Sequence, residues 1–138
     1  MLTTYDQIFQ SFIDNCGIDV FRLPTEDSKK YDMIRNGTKH YNTFIPDDDI
    51  TYGITGDDLT ETVDKELDGT RLLIYAYCLK YVYLENQLVG FEELWTPFQR
   101  EVGIKNYSSQ VKGRENTLER VNHKIIEYIT LLEDQSIM

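Results

Sequence analysis

The chain has little of what most active sites are built from. Its 138 residues include two histidines and two cysteines. Cys16 and Cys78 lie far apart and fit no metal-ligand spacing. Each sits in an apolar pattern, so both are expected to be buried thiols, which behave as small hydrophobes. His40 and His123 have no cysteine or carboxylate at ligand spacing, and both are expected at the surface. There is no Ser-His-Asp pattern, no nucleophile elbow and no phosphate-binding glycine loop. Carboxylates are plentiful, but they crowd into a segment that reads as a flexible arm, and acid–base chemistry needs a rigid, partly dry site. No catalytic residue, metal ligand or cofactor is expected, and the chain reads as non-enzymatic.

Positive charge is also scarce. Fourteen Lys and Arg stand against 24 Asp and Glu, a formal net charge of −10. That balance disfavours nonspecific nucleic-acid binding, which needs a basic surface, and it disfavours anionic membranes. The most apolar stretch, Leu72 to Leu84, contains Lys80 and is too short to span a bilayer. The start, MLTTYDQIF, has neither a basic region nor an apolar one, so no signal peptide is expected. Asn36-Gly37-Thr38 and Asn106-Tyr107-Ser108 match the glycosylation pattern, which carries no weight without such a signal. Asp47-Asp48-Asp49 with Asp58 fits a calcium loop poorly. Tyr52 stands where the sharp turn needs glycine, and Asp58 stands where a bidentate Glu is expected. A solvated or partner-facing acidic loop is the better reading.

What the chain does have is charge segregation. Pro46 to Asp68 holds nine acids (Asp47, Asp48, Asp49, Asp57, Asp58, Glu61, Asp64, Glu66, Asp68) and one base, Lys65. Lys105 to Lys124 is net basic, with Lys105, Lys112, Arg114, Arg120 and Lys124 against Glu115 and Glu119. A chain polarised this way can dock on a copy of itself, acidic flank to basic flank. Ten tyrosines suit wet interfaces, because each buries a ring and keeps a polar tip.

The length fits a single domain over residues 1–138. Thr4-x-x-Gln7 reads as a capping box, and Tyr5, Ile8, Phe9, Phe12 and Ile13 follow at helical spacing, so residues 4–16 should be an amphipathic helix stopped by Gly17. Thr25 should cap a second helix with Tyr31, Ile34, Thr38 and Tyr41 inward, weakened by Gly37 by about 1 kcal/mol relative to Ala. Residues 42–64 read as an extended acidic arm, with a possible small hairpin near 43–46 and 50–54. A third helix is expected from Lys65 to Asn86, capped by Asp64 or an earlier Thr. It is apolar on every side, so either part of its burial comes from neighbouring subunits or Leu72–Leu84 is simply the core of the domain. Thr96-Pro97-Phe98-Gln99 looks like a short helix start, ended by Gly103. The last helix should begin near Ser108 and run to about Asp134. Val111, Leu118, Ile125 and Leu132 form one seam and Val121 and Tyr128 fill a second, which Arg114 breaks. Trp95, Phe91 and Phe98 are expected to pack between the two long helices. The predicted class is mainly α: a helical bundle with two long helices, shorter N-terminal helices and a long acidic loop or arm.

Several segments resemble a known family. The apolar helix LDGTRLLIYAYCLKYVYLENQL is followed by the aromatic segment FEELWTPFQ. Then come the turn Lys105-Asn106-Tyr107-Ser108 and a terminal helix, and the opening TYDQIFQSFID is also similar. The chain resembles the small head–tail connector, or adaptor, proteins of tailed bacteriophages. It departs in the Asp content of the arm and in Lys112-Gly113-Arg114-Glu115, which reads as an insertion or a delayed helix start before Asn116-x-Leu118. The resemblance implies a non-catalytic virion protein, made in the host cytoplasm and located in the neck at the capsid vertex. Such a protein forms a ring, commonly of twelve copies, beneath the portal. It extends the channel through which DNA passes and meets the next neck or tail-completion protein.

On this reading the acidic arm, with Asp47, Asp48, Asp49, Tyr52, Asp57 and Asp58, lies along the basic flank of a neighbour's last helix, with Lys112, Arg114, Arg120 and Lys124. The apolar tip Ile137–Met138 is expected to bind the portal. Two other readings are a small acidic module that sequesters a basic partner by imitating DNA charge and a tail-assembly factor absent from the finished particle.

Overall fold

The computed structural model describes residues 1–18, 23–44, 53–95 and 104–137, with the backbone alone at 94–95, 104–106 and 133–137. Among these residues the chain is mainly helical, with four helices and one two-stranded sheet.

Helix α1 spans Tyr5–Cys16. Its N-terminus is the expected capping box: Thr4 Oγ1 accepts the Gln7 N–H, and Gln7 Oε1 accepts the Thr4 N–H. Gly17 ends it in the left-handed conformation, φ 66°. Helix α2 spans Asp27–Phe44. The amides of Lys29 and Lys30 bond the Glu26 carbonyl, so Glu26 holds the cap position and the helix begins one residue later than a Thr25 cap would place it. It also runs through residues 43–44, where the sequence hinted at a strand.

Gly37, which costs α2 propensity, has a packing reason. A Cβ there would lie 2.7 Å from Leu79 Cδ2, so α2 meets the third helix at a place where only hydrogen fits. The third helix, α3, spans Gly69–Trp95. Asp68 caps it, accepting the Arg71 N–H on Oδ1 while its carbonyl accepts the Leu72 N–H. The expected start at Lys65, with Asp64 as cap, is therefore wrong by a full turn. α3 also extends past Asn86 through the Phe91–Trp95 segment. Helix α4 spans Ile104–Ile137. It includes Lys105-Asn106-Tyr107-Ser108, which is helical and not a turn, and it passes through Lys112–Glu115 without interruption. The expected short helix at 96–99 and its Gly103 end lie outside the described residues.

Residue pairs give the directions. Ser11 meets Leu72 and Cys16 meets Ala76 on one side of α3. Ile34 meets Tyr75 and His40 meets Tyr81 on another. Both sets advance together, so α1 and α2 run parallel to α3. Phe91 stacks on Tyr107 and Tyr77 on Tyr128, so α4 runs back antiparallel along α3.

α3 is thus flanked by the three other helices, and no residue from Leu72 to Leu84 is exposed. One chain buries Ile74, Tyr75, Ala76, Cys78, Leu79 and Val82 and leaves the other residues of that stretch half-buried. The seam of α4 faces it as predicted, with Leu118, Val121 and Ile125 buried. Cys16 and Cys78 are free, buried thiols, and burial pushes the Cys16 thiol up to about 11.

A hairpin lies at 56–63; of the strands expected near 43–46 and 50–54, residues 43–44 are helical, 53–54 are not in a strand, and 45–52 lie outside the described residues. Strand β1 (Gly56–Asp57) pairs antiparallel with β2 (Thr62–Val63), Gly56 opposite Val63. The N-terminal residues add to its far side. Val63 N–H bonds the Thr3 carbonyl at 2.9 Å, Thr3 N–H bonds the Lys65 carbonyl at 3.1 Å, and Tyr5 N–H bonds the Glu61 carbonyl at 2.8 Å. Buried Thr3 also accepts the Leu67 N–H on its hydroxyl at 2.7 Å. Asn42 at the end of α2 bonds both the N–H and the carbonyl of Ile54. Residues 53–64, expected as part of an extended arm, therefore fold back onto the start of α1 and the flank of α2.

Candidate functional site

The folded hairpin end carries the acids. Asp57, Asp58, Glu61, Asp64, Glu66 and Asp68 are all exposed there. The turn between the strands is locked. Asp57 Oδ1 accepts the Leu59 N–H at 2.9 Å, and the Thr60 and Thr62 hydroxyls meet at 2.8 Å. Glu61 holds φ 53°, a left-handed backbone that suits a tight turn.

Two phenols reach up from the bundle. Tyr5 donates to Asp58 Oδ1 at 2.8 Å, and Tyr31 donates to Glu61 Oε1 at 3.1 Å. Burial, then the bonded carboxylate, raises both phenol pKa values, so each stays a neutral donor. Arg35 Nη2 lies 3.8 Å from Asp58 and Arg35 Nη1 lies 2.7 Å from Asp32. Lys65 donates to the Gly53 carbonyl. A cleft of about 250 Å³ lies between α2 and the hairpin, floored by Ile34 and Ile54 and edged by Arg35, Lys39 and Asn42.

Of the predicted acidic interface, the structure places Asp57 and Asp58 here. Asp47, Asp48, Asp49 and Tyr52 lie outside the described residues, as does Met138, and of Ile137 only the backbone is described. The predicted basic flank is divided. Lys112, Arg120 and Lys124 are exposed on α4, with Lys124 pairing with Glu127 at 3.6 Å. Arg114 turns elsewhere: its guanidinium carbon sits 4.6 Å from the centre of the Phe91 ring, a cation–π contact. It helps join α4 to α3 and does not share the face of the other three.

His40 is a correction. It is half-buried between three helices, stacked on Tyr81 at 4.1 Å and bonded to Asn122 Oδ1 at 2.9 Å. Burial lowers its pKa. Its partners stand 41 and 82 residues away in sequence, beyond any local pattern. His123 is exposed, as expected. Among the described residues no group of three or more His, Cys, Asp or Glu could hold a metal ion, and no helix is long and apolar enough to cross a membrane.

Two residues at this end escaped the sequence reading. Arg35 looks like one more helix-surface charge until Asp58 is brought to it. Leu59 is 96% exposed at the tip of the locked turn. The only signal for it was an apolar residue inside Asp57-Asp58-Leu59-Thr60-Glu61.

Comparison with known proteins gives the origin of the chain. The model of the YomZ prophage protein family matches residues 1–134. The SPbeta prophage-derived uncharacterized protein YomZ of Bacillus subtilis (strain 168) is 37% identical over 117 residues, which cover 85% of this chain and 86% of that protein. No solved structure matches. The phage origin implied by the resemblance to connector proteins is thus met at the level of a prophage family. With the family model spanning almost the whole chain and a relative this similar over 85% of it, the chain belongs to the YomZ prophage protein family.

Proposed function

We propose that this prophage protein is a structural, non-catalytic component of the phage neck: a head–tail connector that forms a ring beneath the portal, extends the DNA channel and meets the next neck protein. The observation that carries the reading is the segregation of charge on a rigid body. Asp57, Asp58, Glu61 and Asp64 stand at the hairpin end, while Lys112, Arg120 and Lys124 stand on the outer side of α4. One exposed ion pair contributes about 0–1 kcal/mol. Repeated around a closed ring, such pairs fix register and add by avidity. The phage origin and the bundle with two long antiparallel helices support the same reading. The acids left on the channel side would repel passing DNA, and the Ile137–Met138 tip would meet the portal.

The test is the mass of the purified protein by light scattering, alone and with portal, at low and high salt. An assembly that weakens with salt supports the connector. A monomer that ignores the portal at every salt removes it.

One observation favours a second reading, an acidic inhibitor that imitates DNA charge. Such a mimic needs acids on a folded face, and those at 57–68 are held on one by Tyr5, Tyr31, Arg35 and the N-terminal residues. Capture of a basic DNA-binding protein by the monomer would support it.

A further inference from the structure

We propose that the cleft between α2 and the hairpin is a docking groove for an extended segment of a partner protein. One acidic residue of that segment pairs with the backbone of Gly56 and sets its carboxylate against Lys39. The contact does not depend on the ring reading.

The open edge of the hairpin carries the argument. Val63 lies opposite Gly56 in the ladder, and its N–H goes to the Thr3 carbonyl on the far side of β2. The two residues are therefore a non-hydrogen-bonded pair, and the N–H and C=O of Gly56 both point away from β2. Two residues earlier, Asn42 of α2 takes both backbone groups of Ile54. Its Oδ1 accepts the Ile54 N–H at 3.0 Å, and its Nδ2 donates to the Ile54 carbonyl at 2.9 Å. The Asn42 amide thus does at Ile54 what a neighbouring strand would do. At Gly56 no group among the described residues bonds the N–H or the carbonyl, and the residue is exposed.

No side chain can shield that edge from position 56. A Cβ there would lie 2.5 Å from the Tyr5 hydroxyl, so the residue stays glycine and its edge stays bare. An open strand edge is a template for another strand, and one donor beside one acceptor selects an extended backbone. The N–H of the docked residue donates to the Gly56 carbonyl, and its carbonyl accepts the Gly56 N–H.

The walls of the cleft choose the side chain. Buried Ile34 and Ile54 close the floor, and the charges that line it are Arg35, Lys39 and Asp58. Asp58 is met by Tyr5 and Arg35, and Arg35 is also met by Asp32. Lys39 is exposed and forms no ion pair among the described residues, so the uncommitted charge at the rim is positive. The volume of about 250 Å³ suits one residue of a peptide and is small for a drug-sized ligand.

The test reads amide NMR spectra and amide exchange in the whole protein. Without any probe, the Gly56 N–H should exchange freely while those of Val63 and Tyr5, which have backbone acceptors, are protected. A Gly56 amide as protected as that of Val63 would mean that the edge is already filled, and would overturn the proposal. The probe is the blocked peptide Ac-Val-Glu-Val-NH2 at millimolar concentration, whose valines favour an extended chain. It should shift the Gly56 amide and slow its exchange several-fold. The same peptide N-methylated at Glu lacks the donor and should do neither. Ac-Val-Lys-Val-NH2 should bind about threefold more weakly, the scale of one exposed ion pair, and Lys39→Glu should reverse that order. No effect of the Glu peptide at Gly56, or an equal effect of its N-methyl form, would overturn the backbone pairing. An order of the two peptides left unchanged by Lys39→Glu would overturn the acidic occupant.

Discussion

The middle of α3 and the hairpin end of the bundle are built by opposite means. Around the middle, Ile74, Tyr75, Ala76, Cys78 and Leu79 are all buried, and α1, α2 and α4 close over them with apolar side chains. At the hairpin end, residues 3–5 and 53–67 put Tyr5, Ile54, Val63 and Leu67 into the same core, but the opposite face is held by backbone bonds, hydroxyls and two phenol–carboxylate contacts, with the acids facing water. The middle is closed over chiefly by the chain's own helices, while the polar end holds its shape and keeps its acids and Leu59 in water.

The comparison can be broken or sharpened by substitution. The largest effect is expected in the middle. Phe12, fully buried between α1 and α3, should cost about 3–5 kcal/mol as Phe12→Ala, read as a shift in urea midpoint. A small loss there would mean that the apolar contact is not what holds the bundle. Next comes the joint at the polar end. Thr3→Val keeps the shape but leaves the buried Leu67 N–H without its acceptor, an expected loss of about 1–3 kcal/mol. If the loss instead appeared only as local opening, with hydrogen exchange rising at 61–67 and the urea midpoint unchanged, the hairpin end would be a separate, weaker unit.

A pair of tyrosines separates polar from apolar stabilisation inside the core. The Tyr75 hydroxyl donates to the Ile34 carbonyl and accepts from Thr38, so Tyr75→Phe should cost about 1 kcal/mol. Tyr41 is as deeply buried, but its hydroxyl has no hydrogen-bond partner among the described residues, and Tyr41→Phe should be neutral or stabilising in the same denaturation series. Equal losses would point to a water bridging the Tyr41 hydroxyl.

The smallest expected effect is a pH dependence from His40. Burial lowers its pKa in the folded state, with Asn122 and Glu85 opposing. The unfolded chain therefore takes the proton first as pH falls through about 6.5, and stability declines from there down to the folded value. In His40→Gln that part of the slope between pH 7 and 5 should vanish. An unchanged slope would assign it to the carboxylates.

Much of the fold was legible because it is local. The Thr4–Gln7 box, the Gly17 stop and the seven-residue repeat of α4 each depend on side chains within a turn or two of one another, and they appear where the pattern put them. Helix ends were less legible. Asp64 and Asp68 are equally good caps by composition, and Asp68 is used because residues 61–67 are already committed to pairing with Thr3 and Tyr5. The hairpin at 56–63 was not legible for the same reason: its two-residue strands have no pattern of their own and exist only against the N-terminus. Of the candidate site, the acids were legible as a run of charge, but Leu59, Arg35 and the departure of Arg114 from the basic face were not. Each depends on a contact across the fold.

The sequence by itself determined a mainly helical chain, a long last helix with one apolar face, buried thiols and an acidic segment set against a short basic one, since periodicity and charge are written residue by residue. Only the tertiary structure decided that α1, α2 and α4 close over the middle of α3, that the acids at 57–68 sit on a pinned surface, and that Leu59 is held out in water. Those outcomes come from backbone donors and acceptors that find partners some 60 residues away, and no local pattern records which partner they find.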